Sequence, residues 1–146
     1  MNAIKLYRAE RWLYLHHMTI LAKIIRGLIF LLYNCFIPYT CEIGKGTTFG
    51  YKGMGVVIHS RAVIGENCVI AQQVTVGGRS KQEGVPRIGN NVYIGCGAKV
   101  LGDITIGDDV VIGANAVVIS SVESGCAVAG VPAKVIKTGI KMHDFV

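Results

Sequence analysis

The chain reads as an all-β solenoid with three flat sides per coil, preceded by a short helical segment. Three observations predict this. An apolar residue recurs every sixth position through most of the stretch from Ile43 to Val118. Glycine often follows it, as in Ile43-Gly44, Ile64-Gly65, Ile88-Gly89, Ile94-Gly95, Ile106-Gly107 and Ile112-Gly113. Residues 1–40, by contrast, carry apolar clusters without that period. A six-residue spacing fits neither the helical rhythm nor simple strand alternation, but it fits a prism in which each hexad forms one side. The apolar residue then points into a stacked core, and glycine takes a corner where a Cβ would crowd the backbone.

In chain order, Trp12-Leu13-Tyr14-Leu15, Ile20-Leu21-Ala22, Ile24-Ile25 and Leu28 to Tyr33 predict one or two helices ending before Pro38. Residues 1–39 form this segment. It shows no cleavable signal peptide pattern. Its longest uncharged run, Gly27 to Cys41, is 15 residues, short of the roughly 20 that span a bilayer. The segment is expected to cap the open end of the prism or pack in an oligomer, with peripheral membrane contact through Lys23 and Arg26 as the second reading. Residues 40–138 form the prism, with inward positions Ile43, Phe49, Ile58, Ile64, Ile70, Val76, Ile88, Ile94, Val100, Ile106, Ile112 and Val118. These twelve hexads make about four coils. Two breaks in phase mark loops, one at Tyr51 to Gly55 and one from Gly77 to Arg87, where Gln82 stands in place of an inward apolar residue. Recognition is expected at the loops, because a regular wall offers little shaped cavity. Residues 139–146 are a short tail.

The formal charge is +6, with 15 basic against 9 acidic residues, and residues 1–40 hold a net +4 of it. That charge suits solvated surface, an anionic membrane or cofactor phosphates; few aromatics and no nucleic-acid motif argue against nucleic acid. Cys35, Cys41, Cys68, Cys96 and Cys126 have no zinc-like spacing and are odd in number, which points to a reducing cytoplasm.

His59 is the candidate for acid–base chemistry. It is the only ionisable residue among those following the inward positions, and it sits just past the first loop. Histidine as a residue type suits a general base, because imidazole ordinarily titrates near neutrality. A histidine hydrogen-bonded at an exposed corner is the plain structural alternative. Lys52 could bind an anion or, if desolvated, act as base.

The hexads together with Ala129-Gly130-Val131-Pro132-Ala133-Lys134 resemble the hexapeptide-repeat acyltransferases, whose fold is a left-handed parallel β-helix. Three runs resemble their serine acetyltransferase-like branch: Val57 to Asn67, Val74 to Ser80 and Gly97 to Gly102. The resemblance implies acetyl transfer from acetyl-CoA to a hydroxyl of serine or of a sugar in surface polysaccharide biosynthesis. It implies no metal cofactor. It also implies a homotrimer with coenzyme A held between subunits, which makes Gly77, Gly78, Ala98, Gly113, Ala114 and Lys134 the cofactor candidates. Tyr51, Lys52 and Arg79, in the two loops, are the candidates for binding the acceptor. The branch's base histidine lies in an Asp-His-Ala-Thr-Gly segment, where this chain has Gly50-Tyr51-Lys52-Gly53-Met54-Gly55; a second histidine is replaced by Val85. Two rivals follow. A noncatalytic scaffold would explain the lost histidines. The zinc-dependent carbonic anhydrases built on the same prism need three histidine ligands, and His59 is alone within the repeat.

Overall fold

A computed structural model describes residues 2–145. Two helices, α1 (Ala3–Leu15) and α2 (Thr19–Tyr33), precede a β-solenoid. Its first face stacks β1 (Glu42–Ile43), β4 (Val63–Ile64), β7 (Arg87–Ile88) and β10 (Thr105–Ile106). The third face stacks β3 (Val57–Ile58), β6 (Thr75–Gly77), β9 (Lys99–Leu101) and β12 (Val117–Val118). The second face holds β2 (Thr48–Phe49), β5 (Val69–Ile70), β8 (Tyr93–Ile94), β11 (Val111–Ile112) and β13 (Cys126–Gly130), and ends with β14 (Ala133–Thr138). Every pairing is parallel except β13 with β14.

The twelve inward residues align in three straight ladders, for example Phe49, Ile70, Ile94, Ile112 and then Val128 on the second face. All twelve are at most 5% exposed. Both phase breaks are extrusions that leave the register intact, since Ile64 still pairs with Ile88 across the second loop. A second inward column escapes the period-six reading. It stands two residues before the first and includes Cys41, Ala62, Cys68, Val74, Ala98 and Ala116, none with measurable exposure. The solenoid also outruns the twelve hexads, through a bridge from Phe36 to Val57 at one end and from Val122 to Ile106 at the other.

The α1 helix is the cap that the sequence predicts. Its buried stripe, Ala3, Ile4, Tyr7 and Glu10, has helical spacing, and its apolar members join the same core as Ile37, Ile43 and Phe49. Asn2 starts the helix by accepting the Ile4 N–H and fixes it to β2 by donating to the Phe49 carbonyl at 3.0 Å. Tyr7 donates to the Cys41 carbonyl at 2.7 Å. Arg8 donates to the Ile43 and Gly44 carbonyls, and Arg11 to those of Tyr39 and Cys41 at 3.0 and 2.9 Å. The tail is not free either. Ile140 packs with Val111 and Ala127, and Lys141 pairs with Asp109 at 3.3 Å.

Candidate active site

Three faces give three edges, each lined by the residues that follow the inward positions. Edge one is Gly44, Gly65, Gly89 and Gly107. It is closed by packing: a Cβ on Gly44 would lie 2.5 Å from the Gly65 carbonyl carbon. Edge two runs Gly50, Ala71, Gly95, Gly113 and Ala129, all small; it is packed tight at Gly95, where a Cβ would lie 2.6 Å from the Ala114 nitrogen, and looser at Gly50 and Gly113. Edge three is His59, Gly77, Leu101 and Ile119, the one edge where large side chains stand out.

His59 therefore projects from edge three at the first coil. Its neighbour one coil on is Gly77, roughly 4.8 Å away by the spacing of paired strands. Gly77 leaves a notch between His59 and Leu101; a Cβ there would meet only Leu101 Cδ2 at 3.6 Å and Thr75 Cγ2 at 3.7 Å. His59, Gly77, Phe36, Val57, Ser60 and Thr75 line a groove of about 310 Å³. Phe36, Ser60 and Thr75 are the members that sequence reasoning missed. Phe36 lies outside the hexads, and only its bridge to Val57 brings it there.

The ring of His59 is held in one tautomer. Its Nδ1 accepts the Arg61 backbone N–H at 3.1 Å, and since that N–H can only donate, the neutral ring carries its proton on Nε2. No carboxylate stands within ion-pair distance of it among the described residues. The Arg61 side chain reaches the other way and donates to the Glu83 carbonyl, tying this corner to the second loop. That loop is anchored again where the Gln82 side-chain oxygen accepts the Asp103 N–H at 3.0 Å. Gly78 and Arg79 are exposed at its start, so both belong to edge three with His59.

Tyr51 and Lys52 lie elsewhere. They form an exposed turn on edge two at the first coil, with φ of 46° and 64°. Gln73, Lys81 and several asparagines at other turns of the prism take the same left-handed region, so this conformation alone does not single out the turn. With Leu31 to Tyr33 of α2, Asn34 and Met54 they line a separate cavity of about 440 Å³. Gly113 and Ala114 belong to edge two near the far end of the prism, and Lys134 is exposed on β14 opposite Ala129. Ala98 has no exposed surface, because it belongs to the second inward column; its side chain cannot line an outer groove as the cofactor reading expects. Within one chain the remaining candidates thus form two half-sets, on edges separated by the third face.

The buried thiols are quiet. Burial pushes Cys41 up to about 12 and Cys35 up to about 11.

Known proteins place this arrangement in a family context. Residues 86–120 match the family model described as bacterial transferase hexapeptide (six repeats). A serine acetyltransferase of Synechococcus elongatus is 41% identical over 147 residues, which is 99% of this chain and 60% of that protein. One from Staphylococcus epidermidis is 38% identical over 142 residues, 92% of this chain and 61% of its own. Among solved structures, the Brucella abortus serine acetyltransferase in complex with coenzyme A superposes with a TM-score of 0.88 at 34% identity, covering 95% of this chain and 56% of that one. The Neisseria gonorrhoeae serine acetyltransferase gives 0.87 at 35% identity, covering 95% and 54%. The chain therefore spans about 60% of the length of the curated relatives. In fold and across nearly all of its own length, the chain is a serine acetyltransferase-like hexapeptide-repeat protein.

Proposed function

We propose that this chain is an acetyl-CoA-dependent O-acetyltransferase whose active site forms between subunits of a homotrimer. The observation that carries the reading is the division of the candidate residues between two edges of one prism. A threefold axis parallel to the prism keeps each residue at its own height while setting edge two of one copy against edge three of the next. Under that symmetry Tyr51 and Lys52 of one copy come level with His59 of its neighbour, since both lie in the first coil. The small residues of edge two let the pantetheine arm lie against its outer wall, and Lys134 at its far end faces phosphate.

In this reading the acceptor hydroxyl attacks the thioester carbonyl directly, the C–S bond breaks, and coenzyme A leaves as the thiol. His59 takes the hydroxyl proton as general base, which requires its ring to give up the Arg61 N–H bond and present an unprotonated Nε2. Backbone amides of the loops stabilise the oxyanion, and Arg79 and Lys52 orient the acceptor. Serine is the acceptor that the similar enzymes support. A sugar hydroxyl is the second reading, favoured by one observation: Tyr51-Lys52-Gly53-Met54 stands where the serine enzymes carry their base histidine.

Thiol release from acetyl-CoA, measured against serine, homoserine and nucleotide- or lipid-linked sugars, tests the activity. Turnover on one of them is expected; binding of coenzyme A with no turnover on any would establish the scaffold instead. His59→Ala should lower kcat by about 10²–10⁴ with coenzyme A affinity nearly unchanged. His59→Gln then separates two roles, because its amide N–H stands near the Nε2–H position. Loss equal to that of alanine supports the base, and near-normal rates would show that the ring works as a donor.

A further inference from the structure

Two grooves of the molecule share one wall. Phe36 lines the groove of about 310 Å³ that holds His59, and it also lines a second groove of about 340 Å³ with Lys23, Arg26, Gly27 and Phe30 of α2. The bridge to Val57 sets Phe36 beside the first coil, two positions before the His59 corner. A molecule seated at His59 therefore passes a single ring to reach α2.

The second groove is cationic, and its cations are unengaged. Lys23 and Arg26 are three residues apart on α2 and share a side of the helix, with roughly 5–6 Å between their Cβ atoms. The Arg26 guanidinium lies 5.8 Å from the centre of the Phe36 ring and 5.3 Å from that of Tyr39, so two aromatic rings restrain it. Arg8 and Arg11 direct their donors to carbonyls of the first coil, but Lys23 and Arg26 form no ion pair among the described residues. Glu10 is the only acid in residues 1–41, and its burial favours the uncharged carboxyl. The groove is open at Gly27, where a Cβ would meet nothing within 4 Å.

A restrained guanidinium fork with a mobile ammonium one turn away is a donor set suited to phosphate oxygens. Two uncompensated positive charges also match a group carrying about two negative ones, as phosphate does and a carboxylate does not. Resting on the acetyl-transfer reading above, we propose that Lys23 and Arg26 form the phosphate subsite of the acceptor, so that the hydroxyl presented to His59 belongs to a sugar bearing a phosphate or diphosphate. Serine is too short to occupy both grooves at once. Coenzyme A does not need these cations, since in that reading its phosphates lie at Lys134, toward the other end of the prism.

Titration calorimetry on the full chain saturated with coenzyme A tests the subsite, with glucose 1-phosphate, UDP-glucose, farnesyl diphosphate and, as the carboxylate control, glucuronate. At least one phosphate compound should bind about tenfold or more tightly than glucuronate. Arg26→Gln and Lys23→Gln should each weaken that binding about tenfold, and Lys23 is exposed, so its variant tests the subsite without disturbing the core. UDP-glucose ahead of farnesyl diphosphate supports a nucleotide-linked acceptor, and the reverse order supports a lipid-linked one. In turnover, both variants should raise KM for the phosphate-bearing acceptor about tenfold and leave KM for acetyl-CoA unchanged. Phosphate compounds that bind no better than glucuronate, or binding that neither variant weakens, overturn the subsite even if serine is acetylated. Binding that depends on both cations, with no acceptor turned over, upholds the phosphate site and sinks the acetyl-transfer reading instead.

Discussion

The prism and the helical layer are both rich in isoleucine, yet they place it in opposite ways. Every inward residue of the twelve hexads is at most 5% exposed, whereas Ile20 and Leu31 of α2 are more than 70% exposed. The difference lies in what each element can do for itself. A coil finds a partner in the coil above and the coil below, so the repeat alone buries its apolar column. A helix laid across one end of that column has a single partner, and the α1–α2 contact uses only one side of α2. Burial in the prism is a property of the repeat; burial of α2 depends on something the fold does not supply.

The contrast is sharpest in stability. Ile94→Ala, which empties a fully buried site between two neighbouring coils, should cost about 2–5 kcal/mol in denaturant unfolding. Ile24→Ala on α2 should stay within about 0.5 kcal/mol. A comparable loss at both sites would mean that α2 is buried in the assembled protein, and the contrast would fail.

Glu10 is the exception within the buried layer, a carboxyl with no hydrogen-bond partner for either oxygen. Burial pushes its pKa from 4.5 up to about 8, against the opposing pull of Arg26. The folded chain therefore holds a proton that the unfolded chain has released across that interval. This group's contribution is fully present below pH 4.5 and is lost as pH rises to about 8, with a slope of at most about 1.4 kcal/mol per pH unit. Melting temperatures across this window should fall for the parent more steeply than for Glu10→Met, which replaces the carboxyl with an apolar group of similar size. An unchanged slope in the variant would show that Glu10 does not titrate there.

Smaller again is the effect of the cap. Arg11→Met removes donations to the Tyr39 and Cys41 carbonyls and should cost about 1–3 kcal/mol. Denaturant unfolding of the variant measures that cost, and no loss would show that these donations do not hold the cap.

The inward ladder was legible because a period of six has no competing explanation and because isoleucine and valine mark it. The second column was not. Its members are mostly alanine, cysteine and small valine, whose hydropathy contrasts too little with corner residues, so nothing in the pattern opposes the resemblance that makes Ala98 a cofactor candidate. The split of the candidate site could have been read. Numbering the hexads in threes assigns His59 and Gly77 to one edge and Gly113 to another, before any coordinates. The tautomer of His59 could not, since it depends on the turn that aims the Arg61 N–H. Nor could the hold of Arg8 and Arg11 on the first coil, a contact across some thirty residues that leaves no trace in local pattern.

That hold bears on where the prism stops. A stack of parallel coils is periodic along its axis, and nothing in the repeat specifies a last coil; each rim offers the next copy the same template of acceptors and donors that formed the coil before it. The guanidinium groups of Arg8 and Arg11 occupy acceptors on one rim, and β14 turns antiparallel to close the other. The length of the prism is therefore set by terminators rather than by the repeat. Without them, the pairing that joins coil to coil inside one chain would join chain to chain, and a short prism would become the seed of a fibre.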